Sequence, residues 1–276
     1  LNVIRISLAL NFNFWATYKH FIDNVDYANF FCKEFVEQVK TFNDSYFNGI
    51  VDLSDKSVFD SPKNIYLGNT KFDNLKNKEE IYLKYKLNKD LKYCVFLFPK
   101  ILSYLKKDNF LNFYSILRDN GFTVIVKTRP KDKAQFDKLN DDGSLCGDIY
   151  INSETYPNET LELMKVSDLC VISSSSAANE AIFCKIPIID IESDLRPGYI
   201  TRNNFLLDKN INKQFDKETW TNWTSDEFRN ILETLKSKDD EYFDKIFDKY
   251  YTNVDTSVKL LNFIENTEKY KKLFYD

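Results

Sequence analysis

Between residues 90 and 200 the chain switches repeatedly between two hydrophobic patterns. Short continuous apolar runs, rich in β-branched and aromatic side chains, alternate with stretches whose apolar positions recur at helical spacing. "YCVFLFP" (93–99) is an apolar run ended by Pro99, and "FTVIVKTRP" (122–130) is a second, closed by Pro130. "DIYIN" (148–152), "LCVISS" (169–174) and "PIIDIE" (187–192) complete five predicted strands. Between them lie amphipathic helices: "FLNFYSILRDNG" (110–121) with Gly121 as a stop, "NETLELMKVSD" (158–168) with Asn158 as N-cap, and "SAANEAIFCK" (176–185). Unalternating apolar strands separated by helices predict a parallel sheet covered on both faces. The fold class is therefore α/β, a doubly wound, Rossmann-like domain. Such sheets bind ligands beyond the carboxyl ends of their strands, at the switch point of strand order. The loops after residues 99, 129, 152, 174 and 192 are the expected site.

The flanking segments are less regular. "NVIRISLAL" and "YFNGIVDLS" read as strands and "YANFFCKEFVEQVKTF" as a helix, a partial or minimal N-terminal α/β portion over residues 1–65. "KNIYLGNTKFDNL" (63–75) reads as a connector, and residues 66–276 as the nucleotide-binding domain with C-terminal helices from about 215 onward. There is no internal repeat and no low-complexity linker.

Composition removes several function classes. The 276 residues carry a net charge of −4 with 29% charged side chains, which argues against a general nucleic-acid binder. None of the five cysteines (Cys32, Cys94, Cys146, Cys170, Cys184) forms a CxxC pair, and His20 is the only histidine. No metal site is expected, and the thiols suit a reducing, cytoplasmic compartment. No apolar run approaches the roughly 20 residues of a membrane span, and no secretory signal is present. The chain starts at Leu1, as a fragment or a processed product would.

Two stretches carry candidate chemistry. In "VISSSSAANEAIF" (171–183), a strand runs into Ser173, Ser174, Ser175 and Ser176 and then into a helix. Small residues at a strand-to-helix turn present backbone N–H groups, and hydroxyls add donors, so a diphosphate fits there. Glu180 would accept hydrogen bonds from vicinal ribose hydroxyls. The plainer alternative is that the serines cap a helix and Glu180 is a solvated surface residue. "VKTRPKDK" (126–133) brings Lys127, Arg129, Lys131 and Lys133 to another strand end. Beside a diphosphate they would neutralise charge, Arg129 by a bidentate contact; alone, the stretch is a solvated basic loop. Lys100 in "FPK" would add a cation, and Tyr156 in "NSETYP" would sit near a base. A hydroxyl nucleophile needs a general base, for which His20 is the candidate, with Asp23 and Asp26 as alternatives.

In their order and spacing, "IYLGNTKFDNL", "YKLNKDLKYCVFLFPK", "VKTRPKD" and "VSDLCVISSSSAANEAIFCKIPIIDIE" resemble the C-terminal domain of GT-B-fold transferases over about residues 60–205. The similar groups are the CDP-glycerol glycerophosphotransferase-like enzymes of teichoic acid and capsular polysaccharide synthesis, and the UDP-N-acetylglucosamine 2-epimerase-like proteins. "YYTNVDTSVKLLNFIE" resembles their closing segment. The resemblance implies a nucleotide-activated donor such as a UDP-sugar or CDP-glycerol as substrate, no further cofactor, and a sugar or polyol-phosphate acceptor. It implies that the Ser173–Ser176 loop seats the diphosphate and Glu180 the ribose, with Lys100 and the Arg129 loop flanking the phosphates. Residence in the cytoplasm or at the inner membrane surface follows, and peripheral membrane association is allowed. Two departures stand out. Arg129-Pro130 replaces the His-Pro of the glycerophosphotransferases, and arginine cannot act as a base. Only about 65 residues precede the connector, as expected for a missing or minimal N-terminal domain, a partner chain, or a non-catalytic nucleotide-binding subunit.

Overall fold

The computed structural model describes residues 6–8, 26–29, 62–73, 75–98, 107–153, 158–172, 175, 177–191, 225–250 and 255–267. The chain forms two compact units, Leu1–Leu75 with Phe247–Asp276, and Lys76–Ile246. The described strands are β1 (Ile6–Leu8), β2 (Tyr27–Asn29), β3 (Asn64–Ile65), β4 (Lys92–Leu97), β5 (Phe122–Lys127), β6 (Ile149–Ile151), β7 (Leu169–Ile172) and β8 (Ile188–Asp190). The described helices are α1 (Lys78–Tyr85), α2 (Lys107–Asp119), α3 (Lys133–Leu139), α4 (Asn158–Lys165), α5 (Ala178–Phe183), α6 (Ser225–Lys236), α7 (Asp240–Tyr250) and α8 (Thr256–Glu265).

The larger unit holds a five-stranded sheet in the order β6-β5-β4-β7-β8, with every pairing parallel. The chain builds outward from β4 through β5 to β6, then returns to the other side of β4 for β7 and β8. That reversal puts the switch point between β4 and β7. The strands are apolar without alternation because both faces are covered: Tyr93–Phe96, Val124–Val126 and all of β7 are buried. An aromatic chain packs α2 against the sheet. Phe96 meets Tyr114 edge-on at 5.2 Å, Phe98 stacks on Phe110 at 4.6 Å, and Phe98 meets Phe136 edge-on at 4.8 Å. Phe228 of α6 stacks on Phe113 at 4.8 Å, so α6 closes the outer face of α2. Such pairs contribute about 0.5–1.5 kcal/mol each beyond their burial.

Two aspartates close the opposite edge of the sheet. Asp148 immediately precedes β6 and accepts from Val124 N at 2.7 Å; Asp168 immediately precedes β7 and accepts from Tyr93 N at 2.9 Å. Each carboxylate takes a backbone N–H in the first half of the neighbouring strand, just before that strand's pairing with β6 or β7 begins. Helix α1, absent from the sequence reading, begins with a capping box: Glu80 N donates to Asn77 Oδ1 at 2.9 Å, and Asn77 N to Glu80 Oε2 at 3.1 Å.

The smaller unit corrects three expectations. "YANFF…" opens as strand β2, not helix, in a parallel β1-β2-β3 sheet. Asn29 ties this strand to a distant segment: its amide donates to Gly68 O and accepts from Leu67 N, both at 2.8 Å, so the side chain prolongs the ladder. The stretch 63–75 supplies β3 and a 3-10 turn (Thr70–Phe72), so it belongs to this sheet and is more than a connector. The units divide after Leu75 instead of residue 65, and Phe247–Asp276 folds with the first unit. Asp73 holds α8 there, accepting from Thr256 N at 3.1 Å and Ser257 N at 2.6 Å. Asp255, at the N-cap position, makes no side-chain cap. Tyr27 meets Phe263 edge-on at 4.9 Å. "YFNGIVDLS" lies outside the described residues. Asp73→Ala is expected to cost about 1 kcal/mol, the usual worth of an N-cap; chemical denaturation measures it, and an unchanged midpoint would contradict the capping role.

Candidate functional site

The carboxyl edge of the five-stranded sheet is set by register. Leu97 lies beside Lys127 and Lys127 beside Ile151; on the other side Phe96 pairs with Val171 and Ile172 with Asp190. The ladder continues a step past the strand ends. Phe98 N donates to Lys127 O at 2.9 Å, Thr128 N to Ile151 O at 3.1 Å, and Ile191 N to Ile172 O at 2.8 Å. The loop that begins at Thr128 and the serine loop after Ile172 therefore leave the same edge. With strands about 4.8 Å apart, β5 and β7 are about 10 Å from each other, on either side of β4.

Ser175 is the described member of the serine run; Ser173, Ser174 and Ser176 lie outside the described residues, as do Lys100, Tyr156 and His20. Ala177 N donates to Ser175 Oγ at 3.2 Å and Ala178 N to Ser175 O at 3.2 Å, a turn that leads into α5. Helix α5 starts at Ala178, two residues later than expected. Glu180 falls in its first turn and is only 7% exposed, which removes the solvated-surface alternative. One turn on, burial together with the Glu180 charge pushes the Cys184 thiol up to about 12.

The basic corner divides its cations by role. Lys127 Nζ sits 2.7 Å from Glu159 Oε2, with side-chain exposures of 9% and 3%. The contact is an ion pair and not an aligned hydrogen bond, since Oε2 lacks a properly directed donor. Lys127 thus spends its charge inside the protein, against the first turn of α4, and not on the loop where a phosphate ligand was expected. Arg129 is partly exposed and is held by Asp132, whose Oδ2 meets both Nε and Nη2. Lys133 pairs with Asp137 one helical turn on. Lys131 is exposed and has no carboxylate partner among the described residues.

Behind Arg129 a small polar network braces the strand ends. Thr128 Oγ1 and Tyr150 Oη are 3.0 Å apart, and Asn152 Nδ2 donates to both, at 2.8 and 3.2 Å. Tyr150 stacks on Phe136 at 5.0 Å and 8°. Sequence reading missed Asp132, Glu159 and Asn152. Asp132 has a signal in the i, i+3 spacing of "RPKD"; Glu159 has none, because only the tertiary fold brings it to Lys127. Among the described residues, no group of three or more His, Cys, Asp or Glu could hold a metal ion. No described helix is long and apolar enough to cross a membrane.

No protein-family model matches the sequence. No curated protein matches it either. Solved structures do resemble the fold. The wall teichoic acid polymerase TagF aligns over 94% of this chain and 62% of its own, at a TM-score of 0.57 and 15% identity. A variant of the same polymerase soaked with CDPG aligns over 94% and 60%, at a TM-score of 0.58 and 15% identity. The E. coli ADP-heptose lps heptosyltransferase II aligns over 57% of this chain and 50% of its own, at a TM-score of 0.45 and 12% identity. The chain spans about three-fifths of the length of TagF, and its described residues have an α/β fold consistent with that of the GT-B-type neighbours.

Proposed function

We propose that the chain is a transferase that uses a nucleotide-diphosphate-activated donor, with a CDP-alcohol or a UDP-sugar as donor and a sugar or polyol phosphate as acceptor. The observation that carries this reading is the sheet order: the switch point between β4 and β7 is flanked by the serine turn after β7 and, one strand beyond β4, by Arg129. The likeness to TagF, one of whose structures was obtained with CDPG, supports a CDP-linked donor and a role in surface-polymer synthesis.

The donor diphosphate lies over the switch point. The serine turn gives it hydroxyl and backbone donors, and Arg129 supplies the cation. The buried Glu180 carboxylate receives ribose hydroxyls in a low-dielectric setting, where hydrogen bonds are stronger. With a CDP-alcohol, the acceptor oxygen attacks the β-phosphorus, a phosphodiester forms, and CMP leaves. With a UDP-sugar, the attack falls on the donor carbon and UDP leaves. In either case Arg129 stabilises the departing negative charge and takes no proton. Of the candidate bases for the acceptor's proton, His20 and Asp23 lie outside the described residues, and Asp26 immediately precedes β2.

A thermal-shift panel of CDP, UDP, GDP and ADP tests this. One nucleotide, at 100 times its Kd, is expected to stabilise the protein by about 2.7 kcal/mol. Glu180→Gln should weaken that nucleotide while leaving inorganic pyrophosphate unaffected. Four flat responses would remove the nucleotide reading. Turnover of UDP-N-acetylglucosamine without any acceptor would replace transfer by epimerisation.

A further inference from the structure

Asp132 occupies the N-cap position of α3, where an aspartate ordinarily accepts a backbone N–H of the first turn. It makes no such bond. Its carboxylate turns back to Arg129, and a single oxygen, Oδ2, takes both Nε and Nη2. The backbone reinforces this turn, with Asp132 N donating to Arg129 O at 2.9 Å. Pro130 fixes the backbone angle between them. The pair is partly withdrawn from solvent, at 31% and 19% side-chain exposure. A free arginine samples many rotamers and loses up to about 2 kcal/mol of side-chain entropy when immobilised. Here that loss is taken on folding. The Nε edge of the guanidinium is occupied by Asp132, and among the described residues no hydrogen bond or ion pair engages its Nη1 end.

We propose that Asp132 is a positioning residue: it holds the Arg129 guanidinium by its Nε edge and thereby aims the Nη1 end at the phosphates of the bound donor. This inference rests on the anion-binding reading of the same edge. Among the described cations of this corner it singles out Arg129 for the phosphate contact, because Lys127 is consumed by Glu159 and Lys133 by Asp137. Arg129 would act as a directional bidentate donor and not as part of a diffuse basic patch. Lys131, though exposed, carries no comparable constraint.

Positioning and simple electrostatics make opposite forecasts. Asp132 is a negative charge beside an anion site, so removing it should tighten anion binding if charge alone mattered. If it positions Arg129, removing it should loosen binding. The experiment is calorimetric titration of inorganic pyrophosphate and CDP into the full chain and its Asp132→Ala, Arg129→Gln and double variants. Positioning expects Asp132→Ala to weaken both ligands about tenfold with little change in melting temperature. It expects the double variant to bind no more weakly than Arg129→Gln alone, since Asp132 then has nothing to orient. Unchanged or tighter binding by Asp132→Ala overturns the inference, as does a further loss on adding Asp132→Ala to Arg129→Gln. Failure of the unaltered protein to bind either ligand overturns the nucleotide reading, and this inference with it.

Discussion

Lys127→Met is expected to destabilise the fold by about 3–5 kcal/mol, although methionine fits an apolar site well. The cause is the partner left behind. Glu159 is 3% exposed, and its Oε2 faces the Lys127 ammonium at 2.7 Å. With the ammonium gone, a carboxylate stays buried without a counter-charge, and a desolvated ion of that kind costs several kcal/mol. The double variant Lys127→Met/Glu159→Leu removes both charges and is expected to return close to the original stability, because isosteric apolar replacement of a buried pair is often neutral. Urea unfolding of the two single variants and the double variant measures the coupling directly. A Lys127→Met cost below about 1 kcal/mol would mean the pair is solvated. The same double variant separates structure from function: it should keep its affinity for pyrophosphate, because Lys127 contributes to the strand end and not to the ligand.

The other large effect is expected at Gly147, just before β6. Its backbone sits at φ 67 and ψ −147, close to a region that side chains essentially never occupy. A Cβ there would lie 2.7 Å from Val126 Cγ2 and 2.8 Å from Val124 O. Gly147→Ala therefore combines backbone strain of about 1–3 kcal/mol with overpacking of about 1–3 kcal/mol, and the second contact is backbone that cannot rotate away. Gly143 is the internal control. It also has positive φ, at 77, but a Cβ there meets nothing within 4 Å. Gly143→Ala should cost about 1 kcal/mol or less, the conformational part alone. Equal losses at the two positions would show that the β5 contact carries no weight.

The parallel sheet is legible in the sequence because its strands are buried on both faces and so lose the alternation of a half-exposed strand. All five strands, and the helices α2, α4 and α5, stand within a few residues of where the hydrophobic pattern puts them, whereas α3, between β5 and β6, is missing from that reading. The smaller unit is harder to read. Strand β2 is three residues long and continues into a helix-like aromatic pattern, and what decides it is Asn29 bonding to the backbone of Leu67 and Gly68. No local pattern encodes a partner 38 residues away. The return of the C-terminal helix to the first unit, through Asp73, is equally non-local.

The basic corner shows the same division. Its position at a carboxyl edge follows from strand order, which periodicity reveals. The fate of each charge does not follow. Four cations within eight residues look alike in sequence, yet Lys127, at the strand end, points inward to Glu159, Arg129 is clamped by Asp132, and Lys133 is paired along its own helix. Burial and the identity of the facing element decide this, and both appear only once the sheet is assembled.

A crystal structure of the full chain with bound CDP tests the central claim most directly. The diphosphate is expected above the carboxyl ends of β4 and β7, within hydrogen-bond distance of Ser175 and the Nη1 end of Arg129. A diphosphate bound at the opposite edge, where Asp148 and Asp168 close the strand starts, or beyond β8 and away from both residues, would contradict it.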